Sequence, residues 1–289
     1  MASTISNARP RLRQDHGDLA AFRRSEEPPI GNRSALPAPV ADWSTIHAPK
    51  PRESLAILAL TSIRRALDRV IAASSLVPNA PVLDVRAFPW TQALRDNWRT
   101  IRDEAVAVAL LAQAKPGLAA IPPDHARAVR PGIWQSFRLW RDGDGMHENA
   151  IHCPVTSALI GAIPGLHSAF FSILAPGARI SAPRGFTKGL ITCHLALVVP
   201  RDGDARMRIA DRVVRWAEGE TLVFDDTYPH AVWNDTAGTR MILLLQVARP
   251  LRNPGRWIAD RIVAAMRGPA SVRHMRGGIA AHNGVAQPL

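Results

Sequence analysis

The sequence predicts a mainly β domain, a sandwich or barrel, with helical segments on both sides of it. From Trp134 onward, short apolar runs alternate with turn signals at Asp142-Gly143, Pro176-Gly177, Asp202-Gly203 and Glu218-Gly219. Turn signals at this spacing are typical of all-β sandwiches and barrels. Patterns of helical period precede this region, and a further helical segment follows it.

The composition fits a globular protein with an excess of basic residues. The 289 residues are 47% apolar and carry a net charge of +12. Positive charge attracts phosphates, anionic lipid headgroups or acidic substrates, although an Arg-rich and Ala-rich composition explains it equally. Basic and aromatic residues are not interleaved as in RNA-binding proteins, so we expect no nucleic acid partner.

The cysteine content and the apolar runs bear on location. Cys153 and Cys193 are the only cysteines, which argues against a disulfide framework and favours a reducing cytoplasm. No uninterrupted apolar run reaches membrane-spanning length, and the start of the chain lacks the apolar core of a signal peptide.

The N-terminal region divides into a tail and a helix. Residues 1–50 are polar and rich in Pro and Arg, which predicts a disordered basic tail. Residues 53–80 predict an amphipathic helix, with an apolar stripe at Leu60, Ile63, Leu67 and Ile71. Two interpretations stay open. The helix packs against the domain, or it lies on the inner membrane face as a peripheral anchor.

Two more helices are predicted. The first runs from about Trp90 to Ala112, with a buried stripe at Leu94, Trp98, Ile101, Ala105 and Val108. The second lies within residues 251–289, from about Trp257 to Met266, and a basic tail follows it.

Two strands carry polar side chains that chemistry could use. In residues 190–199, strand alternation places Thr192 and His194 on one face and a wholly apolar set on the other. Arg240 opens the apolar run 240–248, where its guanidinium either binds a carboxylate or lies at the rim paired with an Asp. His194 is either a hydrogen-bonded core residue or part of a site.

His230 follows Asp225 and Asp226, which either cap a turn or hold the imidazole by a hydrogen bond. Alone, His230 is either a turn residue or a metal ligand. Trp233 and Arg240 follow it in the order expected of a metal site near the end of a barrel. A neutral imidazole suits non-haem Fe(II).

The chain resembles the aspartyl/asparaginyl β-hydroxylase family over roughly residues 82–250. The resemblance rests on motifs in a fixed order, among them Phe88-Pro89-Trp90, Trp134-Gln135-Ser136-Phe137, Phe171-Ser172-Ile173-Leu174, His194-Leu195, Trp216, Glu218-Gly219 and Phe224-Asp225-Asp226. It implies a double-stranded β-helix of the jelly-roll or cupin-like kind. It also implies Fe(II) and 2-oxoglutarate as cofactors, and hydroxylation of a protein side chain, an amino acid or a lipid acyl chain.

The resemblance also implies roles for individual residues. His230 would bind iron and be the catalytic ligand. Arg240 and His194 would contact 2-oxoglutarate, and Ser172 and Trp134 would line its pocket.

Two positions depart from the family pattern. The family's first iron-binding His corresponds to Pro183, and its second 2-oxoglutarate-binding Arg corresponds to Thr192. Proline cannot bind a metal, and one His is too few for Fe(II). Replacements are conceivable: a positive charge from Arg179 or Arg184, or a ligand from the three histidines upstream, His147, His152 and His167.

Three functions follow from these observations. The first is an Fe(II)/2-oxoglutarate dioxygenase with an altered ligand set. The second is a degenerate homologue that binds a small anion or a partner chain. The third is a lipid-facing enzyme at the membrane surface. Substrate identity is not encoded in any motif that we recognise.

Overall fold

The computed structural model describes residues 55–114, 134–182 and 185–266. The predicted tail at residues 1–50 and the basic tail after residue 266 lie outside these ranges. So do Pro183 and Arg184. Their predictions are therefore not tested by the structure.

Two antiparallel sheets form the body of the molecule, as the sequence predicted. The larger has seven strands in the order β1-β9-β6-β11-β4-β2-β3. Its strands are β1 (Val82–Leu83), β2 (Trp134–Arg141), β3 (Asp144–Gly145), β4 (Leu166–Leu174), β6 (Leu190–Val198), β9 (Thr221–Phe224) and β11 (Arg240–Ala248). The smaller sheet has the order β5-β10-β7-β8. Its strands are β5 (Arg179–Ala182), β7 (Asp204–Ile209), β8 (Arg212–Arg215) and β10 (His230–Asp235).

The strand order is that of a double-stranded β-helix. Successive strands from β4 to β7 alternate between the two sheets, and β10 and β11 do so again. The fold prediction is confirmed.

The larger sheet is buried on both faces. On its inner face, toward the smaller sheet, Phe224 and Ile242 pack with Ile180, Met207 and Val232. On its outer face, a second core joins β6 and β11 to helical residues; its members include Ile101, Ala105, Cys193, Leu195, Met241 and Leu243. This division confirms the predicted alternation, which put Thr192 and His194 opposite the wholly apolar face of β6.

Six α-helices lie within the described ranges. They are α1 (Leu55–Ala73), α2 (Thr91–Asp96), α3 (Trp98–Ala114), α4 (His147–Ala150), α5 (Pro154–Gly161) and α6 (Gly255–Met266). None of them combines the length and the apolar character needed to cross a bilayer.

The single helix predicted from Trp90 to Ala112 is two helices. It breaks at Asn97, whose backbone (φ −106°, ψ 11°) ends α2 and whose amide donates to the carbonyl of Ala93. The predicted stripe is otherwise correct, since Leu94, Ile101, Ala105 and Val108 are buried. Trp98, which was predicted to be buried with them, is only half-buried.

Helix α1 packs against α6, as the domain-packing interpretation requires. Ile71 is fully buried and forms a small core with Leu251 and Ala259. The predicted stripe is wrong at Ile63, whose side chain is 58% exposed. Ile71 belongs to the small core that joins α1 to α6, and Ile63 is not among the residues of that core. The membrane-surface interpretation stays a prediction.

A buried ionic cluster ties α1 to the barrel. Asp225 is fully buried and accepts hydrogen bonds from Lys188 Nζ at 2.8 Å and from Arg249 Nη2. Arg249 Nη1 also donates to Ser75 Oγ at 3.2 Å, just beyond the end of α1. The backbone N–H of Lys188 donates to Asp68 Oδ1 in α1 at 3.2 Å. Asp225 therefore has an architectural role.

Candidate carboxylate and metal site

Arg240 is a buried cation that has no counterion among the described residues. It opens β11 with 2% of its surface exposed, and its Nε and Nη1 atoms have no hydrogen-bond partner among the described residues. Its guanidinium lies over the Trp216 ring, 4.8 Å from the centroid. Burial lowers the pKa of Arg240 from its ordinary value to about 9. The interpretation of Arg240 as a rim residue paired with an Asp is therefore wrong for the described residues, and a charge buried in this way calls for a partner.

Ser172 and Trp134 lie on the strands next to the one that Arg240 opens. Arg240 pairs with Leu174 across the ladder, and Ile242 pairs with Ser172. The indole Nε1 of Trp134 donates to Ser172 Oγ at 2.8 Å. This bond uses a lone pair of the hydroxyl and leaves its hydrogen for another acceptor. Their implied role in lining a 2-oxoglutarate pocket stays a prediction.

His194 is buried and electrically neutral. Neither ring nitrogen has a hydrogen-bond partner in the described ranges, and only 4% of the residue is exposed. Burial, reinforced by the charges of Arg240 and His230, holds the pKa of His194 well below its usual value of 6.5. A neutral imidazole presents one donor and one acceptor. His194 can therefore form hydrogen bonds with a polar ligand, but as a neutral ring it cannot form a salt bridge.

His230 begins β10 and is half-buried. Its Nδ1 lies 3.0 Å from the carbonyl oxygen of Tyr228, which can only accept, so Nδ1 carries the proton. The lone pair is then on Nε2, the arrangement of a metal-binding histidine. Neither Asp225 nor Asp226 supplies this second hydrogen bond, although one of them was a candidate. Asp225 instead caps the turn by accepting from the Thr227 N–H at 3.0 Å.

Thr192, where the family has an Arg, holds the carboxylate of Asp226. Thr192 Oγ1 donates to Asp226 Oδ2 at 3.0 Å, and Gln246 Nε2 lies 3.4 Å from the same oxygen. Burial raises the pKa of Asp226, partly offset by His230 and by the bond from Thr192. A Cβ on Gly185 would lie 2.0 Å from Asp226 Oδ1, so the carboxylate also needs a glycine beside it.

The described residues do not fit an iron centre. Across residues 55–114, 134–182 and 185–266, no group of three or more His, Cys, Asp or Glu side chains is placed to hold a metal ion. His230 pairs across the ladder with Ala182, and the next residue in sequence is Pro183, which lies outside the described ranges. One protein ligand is too few to hold Fe(II) well.

The suggested replacements are accounted for in part. His147 and His152 are exposed. His167 is buried, with Nε2 3.9 Å from Asp142 Oδ1. Arg179 lies within 3.3 Å of Asp235 and is largely exposed, so it does not supply a buried charge. None of these groups completes a three-residue metal site.

The structure places the five residues proposed from the sequence on the two sheets of the barrel, and their roles toward iron and 2-oxoglutarate stay predictions. Arg240, Ser172 and Trp134 lie at one end of the inner face, while His194 and His230 flank Phe224 at 4.9 and 6.0 Å between ring centroids. Sequence reasoning gave no role to Trp216 or Gln246, and it considered Asp226 only as a turn cap or as a hydrogen-bond partner of His230. Trp216 was visible as part of a family motif. Gln246 shares a strand face with Arg240, which was the available signal.

Comparison with known proteins gives a consistent result. The sequence profile of the family described as aspartyl/asparaginyl β-hydroxylase matches residues 95–250. The chain is 34% identical to the ornithine lipid ester-linked acyl 2-hydroxylase of Rhizobium tropici, over 80% of this chain and 82% of that protein. It is also 34% identical to the human aspartyl/asparaginyl β-hydroxylase, over 59% of this chain but only 24% of that longer protein.

Solved structures resemble the barrel only distantly. The cupin domain of an XRE-family transcriptional regulator from Enterobacter cloacae superposes with a TM-score of 0.28 and 16% identity, covering 40% of this chain and 96% of that domain. A likeness of this size adds nothing to the fold that the strand order already defines.

Proposed function

Because the chain belongs to the aspartyl/asparaginyl β-hydroxylase family, we propose that its barrel binds a small organic carboxylate at Arg240, where the resemblance places 2-oxoglutarate. We propose further that it does so without a complete metal centre. The observation that carries the proposal is the guanidinium of Arg240, which is 2% exposed and has no acidic partner in the described ranges. A buried charge is tolerated when a ligand or partner neutralises it.

The neighbours of Arg240 are suited to a carboxylate. The planar guanidinium can donate two parallel hydrogen bonds to it. The free hydroxyl hydrogen of Ser172 supplies a further donor, and Trp134 fixes the position of that hydroxyl. His194 adds a neutral N–H farther along the same face. The surrounding apolar side chains exclude water and so strengthen each of these interactions.

In this proposal the protein is a binding module that descends from an enzyme. No hydroxylation step is assigned in this proposal, because the family's first iron ligand corresponds to Pro183 in this sequence and a proline cannot bind a metal. The loss of the second Arg at position 192 removes one charge-assisted contact to a dicarboxylate. Such a contact contributes about 1.5 to 3 kcal/mol, so 2-oxoglutarate is expected to bind about tenfold to a hundredfold more weakly than to a site with both arginines.

A second candidate function is hydroxylation itself, with Fe(II) and 2-oxoglutarate. The observation in its favour is the free Nε2 of His230, together with the similarity to the Rhizobium tropici lipid hydroxylase over four fifths of both chains. The substrate would be a lipid acyl chain, or an aspartyl or asparaginyl side chain as in the name of the human relative. This function needs a further metal ligand from outside the described residues.

One pair of measurements separates the two candidates. Isothermal titration calorimetry with 2-oxoglutarate and with butanoate, in the presence of a chelator, tests carboxylate binding by wild type and Arg240→Met. We expect binding by wild type that the substitution abolishes. Equal binding by both proteins would remove Arg240 from the site.

The second measurement is an anaerobic Fe(II) titration, followed by an assay of succinate release in air. The binding-module proposal predicts weak Fe(II) binding and no succinate. Tight binding with succinate release would establish the hydroxylase instead.

A further inference from the structure

We propose that the carboxylate ligand bound at Arg240 carries a hydrogen-bond donor at its other end, and not a second carboxylate. The inference rests on the proposed function and specifies the chemical class of its ligand. It derives from the acidic group that replaces a cation at the second end of the site.

A continuous line of side chains joins the two ends. Arg240 lies 4.8 Å from the centroid of the Trp216 ring, and that ring lies 6.1 Å from the His194 ring. Phe224 then separates His194 from His230 by 4.9 and 6.0 Å. The line begins at Arg240, which is 2% exposed, passes the buried rings of His194 and Phe224, and ends at the half-buried His230. The His230 end is the more open of the two, so a ligand anchored at Arg240 extends toward it.

The open end is acidic. Among the described residues, the side chains that hydrogen-bond to Asp226 are Thr192 and Gln246, and no Lys or Arg forms an ion pair with it. Lys188 and Arg249 are bound to Asp225. A second carboxylate placed here would bring two acceptor groups together without a cation from the described residues, so it would meet a like charge or need an added proton.

A hydrogen-bond donor at this end of the ligand would instead be favoured. An amide or ammonium group can donate to the carboxylate of Asp226, and the hydrogen bonds from Thr192 and Gln246 hold that carboxylate in place. Hydrogen bonds to a charged acceptor are about twice as strong as those between neutral groups. Replacement of the family Arg by Thr192 thus changes the preferred partner at this end from an acceptor to a donor.

The test compares two molecules of the same length. Glutarate has a carboxylate at each end, and glutaramate has one carboxylate and one amide. Calorimetry in the presence of a chelator is expected to show that wild type binds glutaramate at least about tenfold more tightly than glutarate. Arg240→Met is expected to abolish binding of both.

Substitutions at Asp226 and Thr192 are expected to change which of the two molecules binds more tightly. Asp226→Asn is expected to remove the discrimination, because the amide of Asn can donate to the second carboxylate of glutarate. Thr192→Arg is expected to reverse it in favour of glutarate. Should Thr192→Arg fail to fold, as judged by circular dichroism, the nearly isosteric Asp226→Asn still decides the question.

Three results would overturn the inference. Glutarate binding as tightly as glutaramate in wild type would show that the open end accepts a carboxylate. Loss of tight glutarate binding in Arg184→Ala would show that Arg184, outside the described ranges, supplies the missing cation. No binding of either molecule would overturn carboxylate binding itself, and so separates failure of the proposed function from failure of this inference.

Discussion

Replacing Arg240 with methionine is expected to stabilise the ligand-free protein while removing its affinity for carboxylates. Burial lowers the pKa of Arg240 from its ordinary value to about 9, so the guanidinium is still charged at pH 7. Because one pKa unit corresponds to about 1.4 kcal/mol, the charged form is disfavoured in the folded protein by about 5 kcal/mol. Methionine fills a similar space without this cost.

The stacking of the guanidinium on Trp216 offsets part of the gain. A desolvated cation–π contact contributes about 2 kcal/mol, and the substitution loses it. The expected net effect is therefore a stabilisation of about 3 kcal/mol, measured as the free energy of unfolding in urea at pH 7. Ligand is expected to reverse the order, since a carboxylate at a thousand times its Kd stabilises only the wild type, by about 4.1 kcal/mol.

The pH dependence gives an independent check. A basic group whose pKa is lower in the folded state than in the unfolded state destabilises the fold. This destabilisation is complete at pH values below the folded-state pKa and decreases as the pH rises above it. The difference in the free energy of unfolding between wild type and Arg240→Met should thus become smaller above about pH 9. Arg215→Met is the matched control, because Arg215 is 64% exposed and pairs with Asp204 at the surface. That substitution should change stability by less than about 1 kcal/mol.

The prediction has a clear negative outcome. If Arg240→Met is less stable than wild type by more than about 1 kcal/mol, the guanidinium has a favourable partner in the folded protein. The argument for an absent anion would then fail, whatever the calorimetry shows.

Three further predictions concern the surroundings of the site. Asp225→Asn leaves the buried guanidinium of Arg249 uncompensated and is expected to lower the free energy of unfolding by about 3 to 5 kcal/mol in urea titrations; a loss below about 1 kcal/mol would contradict an architectural role. Pro183→His restores the family ligand, so its Fe(II) affinity in anaerobic titration should exceed that of wild type by about tenfold or more, and no increase would mean that the register assigned to position 183 is wrong. The pKa of His194 is held below 6.5, so the unfolded chain takes up the extra proton first and stability should fall as pH drops below 6.5. Urea midpoints at pH 7.5 and 5 should show a smaller decline for His194→Asn than for wild type, whereas the exposed-site control His152→Asn should decline like wild type.

Strand alternation predicted the inner and outer faces of β6 and β11 correctly, because both faces are buried and any slip of register would expose an apolar row. Helix boundaries were less predictable. The break at Asn97 leaves the apolar spacing nearly unchanged on either side, so periodicity does not detect it. Ile63 was assigned to a buried stripe because the pattern shows an apolar face but not how far the partner helix extends.

The five candidate site residues came from the family resemblance, because each belongs to a motif that matches the family pattern in order, and their roles stay predictions. The contact between Thr192 and Asp226 was not predictable. It joins residues 34 positions apart through side chains, with the hydroxyl donating at 3.0 Å. The sequence showed that Thr192 stands where the family has an Arg. It did not show that the Asp226 carboxyl lies next to that position.

The two adjacent acids of the Phe224-Asp225-Asp226 motif face different neighbours. Asp225 anchors Lys188 and Arg249 and, through them, the first helix, whereas Asp226 faces the site. Selection for folding alone would therefore preserve the first acid after catalysis had been lost. The presence of this motif in a homologue therefore indicates the barrel fold and not enzymatic activity. Among relatives of this protein, the residues at positions 183 and 192 should distinguish members that hydroxylate a substrate from members that do not.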